Sequence, residues 1–140
     1  MEIDPRGPRF GALVTTAVLV AVLVTGSAWL LAAQAAVFAV GAFFGMRNAP
    51  YGLVYRLLVR PRLGPPAELE AEAPPRFAQG VGLVFAVAGV IGYATGTTPL
   101  GIAATAACLV AAFLNGAFGL CLGCELYLLI RRIAPARQAS

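Results

Sequence analysis

Four apolar runs, at about residues 10–25, 29–46, 77–95 and 100–120, constrain this chain more than any other feature. A helix needs about 17–25 consecutive apolar residues to cross the hydrocarbon of a bilayer. The second, third and fourth runs meet that length, and the first reaches it by recruiting flanking residues. Lipid offers backbone groups no hydrogen-bond partners, so such runs become helices or closed barrels. No run alternates at period two, which selects helices. The short uncharged connections "TGSA" at 25–28 and "TGTTP" at 95–99 each join two antiparallel helices. The expected fold class is therefore all-α: one integral-membrane four-helix bundle spanning residues 1–140.

Charge supports the same reading. Only 11% of the residues are charged, against about 25% in a soluble domain. All ten basic residues are Arg. Arg6 and Arg9 precede the first run, Arg47, Arg56, Arg60, Arg62 and Arg76 lie between the second and third, and Arg131, Arg132 and Arg137 follow the fourth. With four spans, every Arg falls on one side. The positive-inside rule makes that side cytoplasmic and puts both termini inside. The expected location is the inner (cytoplasmic) membrane, the expected partner is the bilayer, and the arginines are not a nucleic-acid footprint. A competing reading takes the first run as a secretory signal peptide with "GSA" at 26–28 as its cleavage site.

The chain also repeats itself. "PRFGALV" at 8–14 matches "PRFAQGV" at 75–81, and "GMRNAPYGLVYRLLVR" at 45–60 matches "GAFGLCLGCELYLLIR" at 116–131. Two tandem helical hairpins follow, one at about 8–62 and one at about 75–133, related by an axis along the membrane normal. The alignment sets Pro50 opposite Cys121. Pro50 should interrupt or restart the second helix. The following "YGLVYRLLVR" reads as an interfacial amphipathic helix, with Tyr51 and Tyr55 in the headgroup zone.

Chemistry concentrates in Cys121 and Cys124. The absence of His removes His-based nucleophile systems and His-ligated metal sites. Cys108, mid-run, reads as a small packing residue. If the fourth helix continues to about residue 130, Cys121 and Cys124 share one helix face, with Cys121 about 31 Å beyond Leu100. That is the membrane surface, where a thiol can ionise and meet a soluble partner. Cys-x-x-Cys suits reversible disulfide chemistry, although its usual setting is a helix N-terminus, which requires a chain break near 115–119. Two thiolates are also half of a tetrahedral metal site, which a homodimer would complete, or a seat for Cu(I). The third alternative is that the pair is structural.

Supporting residues follow from proximity. Glu125 adjoins the pair as a proton acceptor or an interfacial anchor. Asn115 either lines a pathway to the thiols or, like Gln34 and Gln79, bonds across helices for about 1 kcal/mol. Arg56, Arg60 and Arg131 suit phospholipid headgroups, an anionic partner or a sulfur oxyanion. No cofactor signature is present.

"PRFGA", "YGLVYRLLVRPRLGPPAELE", "PPRFAQGVGL", "LN" at 114–115 and "CLGCELY" together resemble a small bacterial integral-membrane family, frequent in actinobacteria and catalogued as a domain of unknown function. The resemblance covers nearly the whole chain. It departs at Gly11, where similar sequences often carry Asn after Phe. It implies membrane location, a C-terminal Cys-x-x-Cys, and a neighbourhood of thioredoxin-like or rhodanese-like sulfurtransferase proteins. The expected function is a thiol–disulfide or sulfur relay with such a cytoplasmic partner. The alternatives are a small transporter for a sulfur compound and a non-enzymatic scaffold.

Overall fold

The computed structural model describes residues 2–64 and 69–133; Glu68 and Arg137 lie outside the described residues. Helix α1 (Arg6–Thr25) and helix α2 (Ala28–Phe44) meet at a tight turn. Gly26, at φ +65°, ends α1 by donating its N–H to the Val22 carbonyl. Ser27 Oγ then caps α2 by accepting the Leu30 N–H at 3.1 Å. A 3-10 turn (Met46–Asn48) leads to α3 (Pro50–Val54), a π-helical turn (Tyr55–Val59) and α4 (Arg60–Leu63). Pro50 opens α3, as a residue without an N–H does well at a first helical turn. Helix α5 (Ala73–Ala94) and helix α6 (Thr98–Phe118) follow, and α7 (Leu122–Ile133) closes the described chain. A two-residue antiparallel ladder pairs β1 (Glu2–Ile3) with β2 (Glu70–Ala71).

Among the described residues, α1, α5 and α6 are long and apolar enough to cross a membrane. At 17 residues, α2 is about 25 Å long, which places it at the lower limit. These four helices pack with α2 along α5, α5 along α6 and α6 along α1, while consecutive α1 and α2 touch little. The first expected hairpin, α1–α2, therefore shares a turn more than a surface, whereas the second, α5–α6, is packed along its length. The broad partners of α1 and α2 come from the other half of the chain.

Small residues explain that pairing. A Cβ on Gly82 would fall 2.9 Å from the Phe38 ring, and one on Gly89 would fall 2.7 Å from Leu31. These two α5 glycines are the sockets for the α2 side chains. Gly92 lies against the backbone of Gly101, letting α5 and α6 touch directly. Close approach over small residues is how helices associate where no hydrophobic drive exists between them. Leu19, Val22, Leu31, Ala35, Phe38, Ala86 and Cys108 form the buried cluster, so Cys108 does serve as a packing residue.

Two arginines fix the ends. Arg76 on α5 donates to the Ala42 carbonyl at 3.0 and 3.2 Å and to that of Phe43 at 3.3 Å, capping the last turn of α2. Arg9 on α1 reaches the Gly116 carbonyl of α6 at 3.5 Å. Cations at helix C-termini satisfy orphan carbonyls and oppose the negative end of the dipole. With the β1–β2 ladder, these contacts gather the starts of α1 and α5 and the ends of α2 and α6 at one end of the molecule.

Candidate functional site

At that end the expected continuous fourth helix is broken. Helix α6 stops at Phe118, and Gly119 takes the left-handed conformation at φ +71°. Its N–H and that of Leu120 turn back to the Asn115 and Leu114 carbonyls at 3.0 and 3.1 Å. This is a glycine-terminated helix end. Leu120 and Cys121 carry no helical assignment, and α7 begins at Leu122. Cys121 and Cys124 therefore do not share the side of one long helix; Cys121 precedes α7 and Cys124 lies in its first turn. Cys121 occupies the capping position. Its carbonyl accepts the Glu125 N–H at 3.0 Å and its Sγ accepts the Cys124 N–H at 3.1 Å. The two sulfurs are joined as a disulfide, with Cα atoms 5.1 Å apart.

Helix α7 is held to α5 through Gly123, one of the two residues between the cysteines. A Cβ on Gly123 would fall 2.6 Å from both Cα and Cβ of Ala78. One turn on, the Tyr127 and Phe77 rings pack at 5.6 Å. Leu126, Leu128, Leu129, Ile130 and Ile133 remain exposed, giving α7 an unpacked apolar face. Arg131 lies beyond the pair's end of α7, donating to Tyr127 Oη at 2.8 Å and covering its ring.

The cysteines border a cleft of about 900 Å3 between α1, α5, α6 and α7. Asn115 and Glu125 line it with them. So does Arg9, which composition marks only as a topology signal. Its guanidinium carbon would sit 3.6 Å from a Cβ on Gly119, two residues from Cys121. The Pro-Arg-Phe repeat is the sequence signal that marks this position.

Pro50, Tyr51, Arg56 and Arg60 are not brought to the cysteines. Pro50 is exposed, and the other three line an adjoining cavity of about 230 Å3 beside α1, which shares Asp4, Thr15 and Gln79 with the cleft. The tyrosines also correct the headgroup expectation. Tyr55 is 2% exposed, and its hydroxyl donates to Asp4 Oδ2 at 3.1 Å. Tyr51 donates to Gln34 Oε1 at 2.6 Å, and Gln34 Nε2 donates to Thr15 Oγ1 at 3.4 Å. Gln34, 1% exposed, thus bonds across elements as a buried amide must. Thr105 Oγ1, by contrast, is buried without a hydrogen-bond partner among the described residues.

Asp4 organises the smaller cavity. It also accepts from Arg6, at 2.9 Å from the backbone and 3.0 Å from Nη2, and faces Arg60 at 3.9 Å. Burial pushes its carboxyl up, but the Arg6 and Tyr55 hydrogen bonds and the Arg6 charge outweigh that and hold it below its ordinary value of 3.8. Burial, with the Asp4 hydrogen bond and charge added, pushes the Tyr55 phenol up. A depressed carboxyl stabilises the fold fully above its unfolded value, and the gain is lost as pH falls through the folded one. At pH 7, Asp4→Asn is expected to lower Tm by about 3 °C. Thermal scans in detergent should show the gap narrowing as pH falls below 3.8 and through the depressed folded value; a gap that stays constant across the acid range would remove Asp4 ionisation as the cause.

A family model described as a domain of unknown function (DUF4395) matches residues 3–132. No curated protein matches the chain, and no solved structure matches it.

Proposed function

The chain belongs to the family described as a domain of unknown function (DUF4395), and from that premise and the setting of its cysteine pair we propose that it is a membrane thiol–disulfide or sulfane-sulfur relay. The observation that carries this reading is the break at Gly119, which makes Cys121 the cap of α7. A thiolate there receives the Cys124 N–H and faces the positive end of the α7 dipole, the surroundings that activate a cysteine. Cys121 is the attacking sulfur, Cys124 the resolving one, and Glu125 the carboxylate that takes the thiol proton.

Two partner chemistries fit. With a thioredoxin-like disulfide, the Cys121 thiolate forms a mixed disulfide, Cys124 displaces it, and the partner leaves as a dithiol. With a rhodanese-like persulfide, Cys121 takes the outer sulfur and frees the partner thiolate. Cys124 then closes the disulfide and releases hydrogen sulfide. A dithiol partner reopens the pair for the next cycle.

The proposed setting is a four-span bundle in the cytoplasmic membrane with the arginine-bearing end inside. Exposed Leu57, Leu58 and Leu63 beside Arg60 and Arg62, and the apolar face of α7, support two interfacial segments at that end. Duplication is supported by the two arginine caps: Arg9 and Arg76, equivalent in the repeat, reach carbonyls in the last turns of α6 and α2.

The test is a glutathione redox titration of the full-length protein in nanodiscs, read by alkylation mass shift. A single two-electron transition confined to Cys121 and Cys124 is expected. A pair that stays in one state from fully reducing to fully oxidising buffer would end the relay reading. In intact cells an impermeant maleimide should miss the reduced pair, and labelling from outside would reverse the proposed orientation.

A further inference from the structure

The cleft changes character below the cysteines. Arg9, Asn115 and Glu125 line it at the helix ends, and Val81, Phe85, Ala107 and Ala111 line it along α5 and α6, with Thr15 and Gln79 the polar groups among the walls. Phe85 is 40% exposed and Ala107 is exposed, so these walls reach the surface of the bundle on helices long and apolar enough to lie in lipid. A volume of about 900 Å3 falls within the range of small-molecule sites, about 300–1,000 Å3, whose walls are mostly apolar with a few placed polar groups. A soluble protein partner needs only the mouth. The apolar depth calls for a ligand that enters from the bilayer.

We infer that this cleft admits a bilayer-dissolved quinone, which takes two electrons from the reduced Cys121–Cys124 pair. The inference rests on the relay reading and names a further electron acceptor for the pair once a dithiol partner has reduced it. The chemistry balances: two S–H bonds are lost and one S–S bond forms, while two electrons and two protons convert the two quinone carbonyls into the two hydroxyls of a hydroquinone. The site matches both halves of such a molecule. Asn115 and Arg9 supply N–H donors for ring carbonyls beside the sulfurs, and Val81, Phe85 and Ala111 accept an apolar tail. A phospholipid fits the walls with its tail and the donors with its phosphate, but it brings no oxidant to the thiols.

The experiment uses the full-length protein in nanodiscs, reduced with dithiothreitol, desalted and mixed with a decyl-tailed benzoquinone. Quinone absorbance and free thiols are followed together. One quinone should be consumed per cysteine pair, with disulfide formed in parallel, and Cys121→Ser should consume none. Ala111→Phe, which fills the cleft, should slow the reaction by at least about tenfold; Ala107→Trp, at the exposed wall, provides the same block if the first variant does not fold. A wild-type protein that equilibrates with glutathione yet leaves quinone untouched would overturn the inference and leave the relay standing. Unslowed quinone reduction in the folded, cleft-filled variants would also overturn it. Failure with both glutathione and quinone would remove the relay itself.

Discussion

Cys124→Ser protein is expected to accumulate in cells as a mixed disulfide through Cys121, whereas Cys121→Ser yields no adduct. The asymmetry follows from where the helix starts. Cys121 lies outside α7, and its sulfur takes the first-turn N–H of Cys124. Removing Cys124 leaves the attacking sulfur in place but deletes the group that would release the partner. Removing Cys121 deletes the attack itself, and exchange should fall by more than about 100-fold. Serine at position 121 can still cap α7 through its hydroxyl, so both variants should keep the melting temperature of the reduced wild-type protein. The measurement is non-reducing electrophoresis with mass spectrometry of the trapped species. Adducts formed equally by both variants would make the sulfurs interchangeable and deny Cys121 its role; adducts from neither would leave the pair without a partner in the cell.

The sequence carried the scaffold well because length and hydropathy decide it. The apolar runs end within a few residues of α1, α2, α5 and α6, and Pro50 restarts the chain where proline is favoured. The break before the cysteines was not legible. In "NGAFGLCLGC" a glycine within an apolar run is equally a packing residue or a helix end, and the two glycines split those roles. Gly119 turns the chain, whereas Gly123 makes room against Ala78. Tyr51 and Tyr55 misled for another reason. Their amphipathic rings suit a membrane surface, but Gln34 and Asp4, brought from distant segments, draw their hydroxyls inward. Arg9 and Arg76 read in the sequence only as topology signals, because the carbonyls they cap belong to helices far away in sequence.

Gly123→Val is expected to disable the pair without touching either sulfur. The Cβ alone would meet Ala78 Cα and Cβ at 2.6 Å. One of those atoms is backbone, so no side-chain rotation relieves the clash. Overpacking of this kind costs about 1–3 kcal/mol, and the contact between α5 and the first turn of α7 must open. Cys121 and Cys124 flank that contact, so its opening disturbs the Cys124 N–H that Cys121 Sγ accepts. The Cys121 thiolate loses its donor, and iodoacetamide alkylation of the reduced protein at pH 7 should slow about tenfold. Ala78→Gly removes one of the two clashing atoms. Paired with the milder Gly123→Ala, it should restore part of the rate, giving a coupling energy of about 0.5–3 kcal/mol in a double-mutant cycle. A purely additive cycle would mean that α7 finds its place by other contacts, with Phe77 against Tyr127 the foremost. The cysteine chemistry would then depend on the helix start at Leu122 rather than on its seat against α5.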